Sequence, residues 1–185
     1  MTALASRGQL RASFIRWALF TVPLVVLVGF LSGQLSGSGS DSLWFQSLEK
    51  PAIYPPPMWF GIVWTILYIL MGLALAMVCA AWGARARGIA IAAFAVQLVV
   101  NLTWSPVFFA LHDIRAALIV IAVLDVLVII TIVLFWRVRK LAAVLLWPYL
   151  AWIAFATVLN WQFLEANPGG GIENPANGAV ERYEL

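Results

Sequence analysis

Five long stretches of this chain carry almost no charge, and that feature limits its possible folds more than any other. They run from Trp17 to Gln34, Met58 to Trp82, Ile89 to Leu111, Ile114 to Trp136 and Leu141 to Leu164, with Arg115 near one end and Asp125 in the interior as the charged exceptions. About 20 apolar residues in helical form reach across the roughly 30 Å of a bilayer's hydrocarbon. Charge and turn clusters separate the stretches: "SGSGSD", "GARARG", "HDIR" and "RVRK". Of the 185 residues 64% are hydrophobic and 10% charged, too little polar surface to coat a soluble globule. The expected fold is an all-α membrane protein, a five-transmembrane-helix bundle spanning residues 1–164. Short connections after the second, third and fourth spans predict antiparallel, adjacent neighbours.

Arg7, Arg11 and Arg16 precede the first span as they would in a signal peptide, but the apolar run is too long for one and ends in no clear cleavage pattern. The lone Cys79 excludes an internal disulfide and is expected to pack in its helix.

Charge sets the expected orientation. Arg7, Arg11, Arg16, Arg85, Arg87, Arg137, Arg139 and Lys140 fall on one side, and only Lys50, Arg115 and Arg182 on the other. Positive residues concentrate in the cytoplasm, which predicts a cytoplasmic N-terminus in a bacterial cell membrane. The acids Asp41, Glu49, Asp113, Glu165, Glu173, Glu181 and Glu184 gather opposite. The net charge of +3 therefore reports topology, and no nucleic-acid patch is expected. Beyond Leu164 the sequence turns to "EANPGGGIENPANGAVERYEL", rich in breakers and without apolar period, which predicts a flexible polar tail over 165–185.

Inside the spans, polar side chains need partners that lipid cannot supply. Gln97, Asn101 and Ser105 recur every fourth residue on one helical face, a pattern that serves either as glue between helices or as the lining of a pocket. Trp104 and Phe108 sit beside them. In the fifth span Trp152, Ala156 and Asn160 share a face, with Tyr149 one turn earlier; in the second, Trp64 and Tyr68 do. Trp17, Trp82, Trp136 and Trp161 read as interfacial anchors, whereas Trp64, Trp104 and Trp152 lie deeper and suit a cavity for a flat apolar ligand. Asp125 should face the bundle, as a hydrogen-bonded structural acid or part of a proton relay. His112 has no companion ligand, so no metal site is expected. Neither a phosphate loop nor a Ser/His/Asp set is present, so no conventional catalytic activity is indicated.

Three motifs, "WFQSLEKPAIYPPPMWFGIVWTILYILMG" (44–72), "NLTWSPVFF" (101–109) and "WPYLAWIAFATVLN" (147–160), resemble the TspO/MBR family, the tryptophan-rich sensory proteins of bacteria and translocator proteins of mitochondria. The resemblance implies a five-helix bundle, usually a homodimer, that binds porphyrins such as protoporphyrin IX and, in animal members, cholesterol and benzodiazepine-type drugs. Carried over position by position, it implies a ligand pocket with Trp64, Asn101, Trp152 and Ala156 from the helices and Trp44 and Pro55 from the first long loop. Tyr68 and Trp104 join this set from the spacing alone. Loop 36–57 would act as a lid over the ligand, stiffened by Pro55, Pro56 and Pro57, which restrict φ. The animal sterol motif wants a Tyr and a base near the end of the fifth span; "VLNWQFLEANPGG" has neither, so cholesterol is not an expected partner.

The expected function is porphyrin binding by a tetrapyrrole sensor, carrier or disposal factor that needs no cofactor. Two alternatives stand beside it: light-dependent porphyrin breakdown with Trp44 and Trp152 as candidate catalytic residues, and a translocator or scaffold without intrinsic chemistry. For assembly, Gly88, Ala92 and Ala95 form a smooth stripe on which a second copy could pack closely, which predicts a homodimer.

Overall fold

The computed structural model describes residues 6–38 and 42–169. Helix α1 (Arg7–Leu35) is followed by a short α2 (Leu43–Ser47), then α3 (Met58–Cys79) and α4 (Arg87–Ser105). A π-helical turn, Pro106–Ala110, extends α4 and leads into α5 (Ile114–Val138), α6 (Lys140–Val144) and α7 (Trp147–Ala166). Five of the resulting rods are long and apolar enough to cross a bilayer, with α4 and its π turn forming one and α6 with α7 another. The fold is an all-helical membrane bundle, and no strand occurs among the described residues.

Helix α1 starts well before Trp17 because Ser6 caps it. The Ser6 hydroxyl accepts from Gln9 N while Gln9 Oε1 accepts from Ser6 N, a reciprocal pair that satisfies two otherwise orphaned donors. At the other end of the chain α7 runs to Ala166, past the expected boundary at Leu164. Asn167 then ties down the start of the expected tail: its Oδ1 accepts from Glu49 N at 3.0 Å and its Nδ2 donates to Glu49 O at 3.1 Å. The remaining tail, 170–185, and Asp41 lie outside the described residues.

The most extensive helix pairs are α1 with α3, α4 with α5, and α5 with α7, while α3 meets α4 and α7 only sparsely. Adjacency of successive spans therefore fails in its simple form at α3 and α4, whose contact is short, as is that of α1 with α4. Glycine explains how closely α1 and α3 approach. A Cβ on Gly72 would stand 2.6 Å from Val22 Cα, and one on Gly29 would enter the Tyr68 ring. Thr21 Oγ1 reinforces the crossing by donating to Gly72 O at 2.8 Å. Below this crossing, Val25, Met71, Phe94, Phe135 and Tyr149 fill a core, and toward the other end Phe45, Phe108, Leu159 and Phe163 make a second, largely aromatic one.

The π turn has a local cause. Pro106 has no N–H, so the Leu102 carbonyl lacks its ordinary partner one turn on. That carbonyl accepts from Ser32 Oγ of α1 at 2.6 Å, and the chain underwinds so that Leu111 N reaches Pro106 O, five residues back, at 2.9 Å.

Replacing Gly72 by Leu should force α1 and α3 apart and destabilise the protein by about 1–3 kcal/mol, the usual cost of overpacking. A Cβ at Gly61 meets nothing within 4 Å, so Gly61→Ala should leave stability unchanged or slightly higher. Thermal unfolding of the two variants in mild detergent checks both.

Candidate functional site

Where α3 parts from α4 and α7, the bundle encloses a cavity of about 330 Å³. Aromatic rings supply most of its wall. Trp64 and Tyr68 stack with ring centroids 5.2 Å apart on α3, and Tyr68 is held in place by the absence of a side chain at Gly29. From α7, Trp152 borders the same space and meets Phe60 edge-on at 5.8 Å. Trp104 of α4 stacks on Phe108 at 5.1 Å.

Most polar groups at this depth find partners within the protein, but Gln97 Nε2, Asp125 Oδ1 and Trp152 Nε1 are buried without one among the described residues. Tyr68 Oη donates to Asn101 Oδ1 at 3.2 Å, Asn101 Nδ2 donates to Tyr149 Oη at 3.1 Å, and Tyr149 Oη donates to Gln97 Oε1 at 3.0 Å. This chain links α3, α4 and α7. A second link runs from Trp104 Nε1 to Asn160 Oδ1 at 3.1 Å, and Asn160 Nδ2 donates to Ile114 O of α5 at 3.0 Å. The two readings of the Gln97, Asn101, Ser105 stripe thus divide along its length: Gln97 is buried glue, while Asn101 and Ser105 border the cavity. Asp125 accepts from Thr157 Oγ1 at 2.8 Å across the α5–α7 seam and does not line the cavity. No proton relay partner is seen for it among the described residues.

Of the residues singled out from the sequence, Trp64, Tyr68, Asn101, Trp104, Trp152 and Ala156 come together around the cavity. Trp44 and Pro55 do not border it. Neighbouring residues on a helix point about 100° apart, so α2 can turn only one of Trp44 and Phe45 inward. It turns Phe45, which is 5% exposed and lines the cavity. Trp44 instead stacks on His112 at 4.3 Å, with Phe108 edge-on at 5.6 Å. Within the proline run it is Pro57, at the entry to α3, that reaches the cavity. Tyr54, which spacing did not single out, lies between Phe60 at 5.5 Å and Phe163 at 5.8 Å, and burial pushes its phenol above the ordinary value. It stays a neutral donor at physiological pH.

The described parts of loop 36–57 border one end of the cavity through Ser38, Phe45, Tyr54 and Pro57. Lys50 braces it by donating to Phe45 O at 2.9 Å and Leu48 O at 3.0 Å. The side wall is incomplete. Phe30, 59% exposed, and the exposed Gly61 and Thr65 border both the cavity and the outside, where α1 and α3 diverge beyond Tyr68. No group of three or more metal-ligating side chains occurs among the described residues. Gly88, Ala92 and Ala95 lie exposed on the outer face of α4, away from the cavity.

Five membrane spans around an aromatic chamber with a few neutral hydrogen-bonding groups define a multi-pass helical membrane protein with an internal ligand-sized site. The profile of the TspO/MBR family matches residues 21–165. The Tryptophan-rich protein TspO of Chlorobaculum tepidum is 39% identical over 148 residues, which cover 80% of this chain and 93% of that protein. Protein CrtK of Rhodobacter capsulatus is 37% identical over 131 residues, 70% and 82% of the two chains. The Translocator protein of Homo sapiens is 33% identical over 144 residues, 77% and 85%. The chain belongs to the TspO/MBR family.

Tyr149→Phe should leave Asn101 Nδ2 and Gln97 Oε1 without their shared partner in the protein interior. A loss of about 1–3 kcal/mol per unpaired group is expected, read as a lowered unfolding temperature in detergent.

Proposed function

We propose that the chamber binds a porphyrin-type tetrapyrrole such as protoporphyrin IX, and that the protein acts as a tetrapyrrole sensor, carrier or disposal factor. The observation that carries this reading is the placing of two indoles, Trp64 on α3 and Trp152 on α7, on one cavity whose polar groups are neutral amides and phenols. A flat apolar macrocycle gains dispersion and stacking against such walls, and Tyr68 and Asn101 give it orientation. The volume falls at the lower end of the ~300–1,000 Å³ usual for ligand pockets, so closure around a macrocycle would use the open α1–α3 side. His112 stacks on Trp44 and does not line the cavity, which favours a metal-free macrocycle over axial ligation. Relatives named Tryptophan-rich sensory protein and Translocator protein support sensing and carriage respectively.

Bound porphyrin should quench tryptophan fluorescence and give the purified complex a Soret band. Trp64→Ala and Trp152→Ala should each weaken binding roughly 5–10-fold through loss of a ring contact, while Trp161→Ala, on the exposed face of α7, should not. Unchanged affinity in both cavity variants would remove the site.

Light-dependent breakdown of the porphyrin is the second reading, and Trp152 is the residue that supports it, being the one of the two candidate indoles at the cavity. Oxygen-dependent products formed under illumination by the native protein and not by Trp152→Phe would establish it.

The outer stripe Gly88, Ala92, Ala95 supports a homodimer through α4, and the cation-rich end of the bundle supports a cytoplasmic N-terminus in a cell membrane. Ala92→Phe should convert dimer to monomer by light scattering in mild detergent and leave porphyrin affinity intact.

A further inference from the structure

The end of the bundle opposite the lid carries Arg11, Arg16, Arg85, Arg87, Arg137, Arg139 and Lys140, and no carboxylate among the described residues lies there to balance them. Most of these cations face water or lie on an indole, as Lys140 does over Trp136. Arg16 sits in a groove of different construction, lined by Ser13, Arg16, Trp17 and Phe20 of α1 and by Trp82. The four α1 residues fall at i, i+3, i+4 and i+7, so they share one face. Along that face polarity falls in one direction: hydroxyl and guanidinium at the water end, indole and phenyl one to two turns into the bilayer.

The opposite wall is held rigidly. Trp82 follows the end of α3 and enters the turn at Gly83, whose φ of 84° suits glycine. Arg87 packs its guanidinium on the Trp82 ring at 4.2 Å, and its Nε donates to Cys79 O at 3.0 Å, so the indole is clamped with 68% of its surface exposed. Phe20 is 60% exposed. Neither the Ser13 nor the Arg16 side chain forms a hydrogen bond or ion pair with any described residue. The groove is thus an uncompensated cation and a hydroxyl at the membrane boundary, above two uncovered aromatic surfaces.

We propose that this groove binds one phospholipid with an anionic headgroup. Its phosphate is received by the Arg16 guanidinium, whose planar fork matches phosphate oxygens, and by the Ser13 hydroxyl. An acyl chain runs down between Phe20, Trp17 and Trp82. Charge selects the headgroup and the aromatic walls hold the chain, as in basic pockets between membrane helices that take anionic lipids. The site is separate from the cavity and does not depend on what the cavity binds.

The test is native mass spectrometry of the intact protein released from mild detergent with phosphatidylglycerol or phosphatidylcholine at equal concentration. The native protein should retain one phosphatidylglycerol in preference to phosphatidylcholine. Arg16→Gln should lower phosphatidylglycerol retention about fivefold, the effect of one cation at the surface, while Arg11→Gln, at the same end and outside the groove, should not. Trp82→Ala should lower retention of both lipids. Arg16→Lys keeps the charge and loses the fork, and should retain phosphatidylglycerol at an intermediate level, which keeps the test open if Arg16→Gln folds poorly. Equal losses in Arg11→Gln and Arg16→Gln would show a diffuse positive field and overturn the site. So would equal retention of the two lipids by the native protein, or displacement of the lipid by glycerol phosphate alone, which has no chain.

Discussion

Hydrocarbon offers no hydrogen bonds, so a polar group placed inside this bundle must look for its partner in the protein, and among the described buried side chains only Gln97 Nε2, Asp125 Oδ1 and Trp152 Nε1 are left without one. The chain of Tyr68, Asn101, Tyr149 and Gln97 answers that constraint and, in doing so, fixes three helices relative to one another. The Leu102 carbonyl answers it through Ser32 of a different helix. The same side chains that satisfy the bundle also set the cavity's shape, because Tyr68 and Asn101 stand in both the hydrogen-bonded chain and the wall. Structure and site share one set of residues, and a substitution aimed at either touches both.

Much of this was legible in the sequence, for identifiable physical reasons. Spans were readable because a bilayer requires long uncharged runs, and Trp64, Trp152 and Asn101 because aromatic and amide groups at that depth must face inward. Trp44 shows the limit. A five-residue helix has too few residues to display a periodicity, so the adjacent aromatics "WF" give no phase, and tertiary packing decides that Phe45 turns in. The π turn is signalled only by Pro106, which marks a missing donor without saying how the backbone repairs it. The start of α1 is written in the "SRGQ" capping pattern, which is polar and lies outside the apolar run that marks the span. Lateral order of the helices was not available at all, since short connections fix which ends meet and not how far the rods diverge between them.

The two ends of the molecule are built on different chemistry. At the end that carries α2, rings from the loop and from α7 interlock, and Asn167 joins the end of α7 to the loop backbone through two hydrogen bonds. Coupling between loop and helix there is short-ranged, through ring contacts and neutral hydrogen bonds. The other end adds, to its own buried apolar contacts, cations lying on indoles and a guanidinium on the Cys79 carbonyl. Salt in the medium would therefore act more strongly at the cation-rich end, where seven cations gather among the described residues, than at the other, where Lys50 alone lies on a ring.

The gap between α1 and α3 changes what concentration means for this cavity. A space that meets the acyl chains through its side wall equilibrates with solute dissolved in the membrane, and an apolar solute accumulates there far above its level in water. Occupancy then follows the solute's partition coefficient as much as its fit, so two molecules with equal contacts inside can fill the site very differently. Lipid volume, which is seldom counted as a reagent, becomes part of the equilibrium.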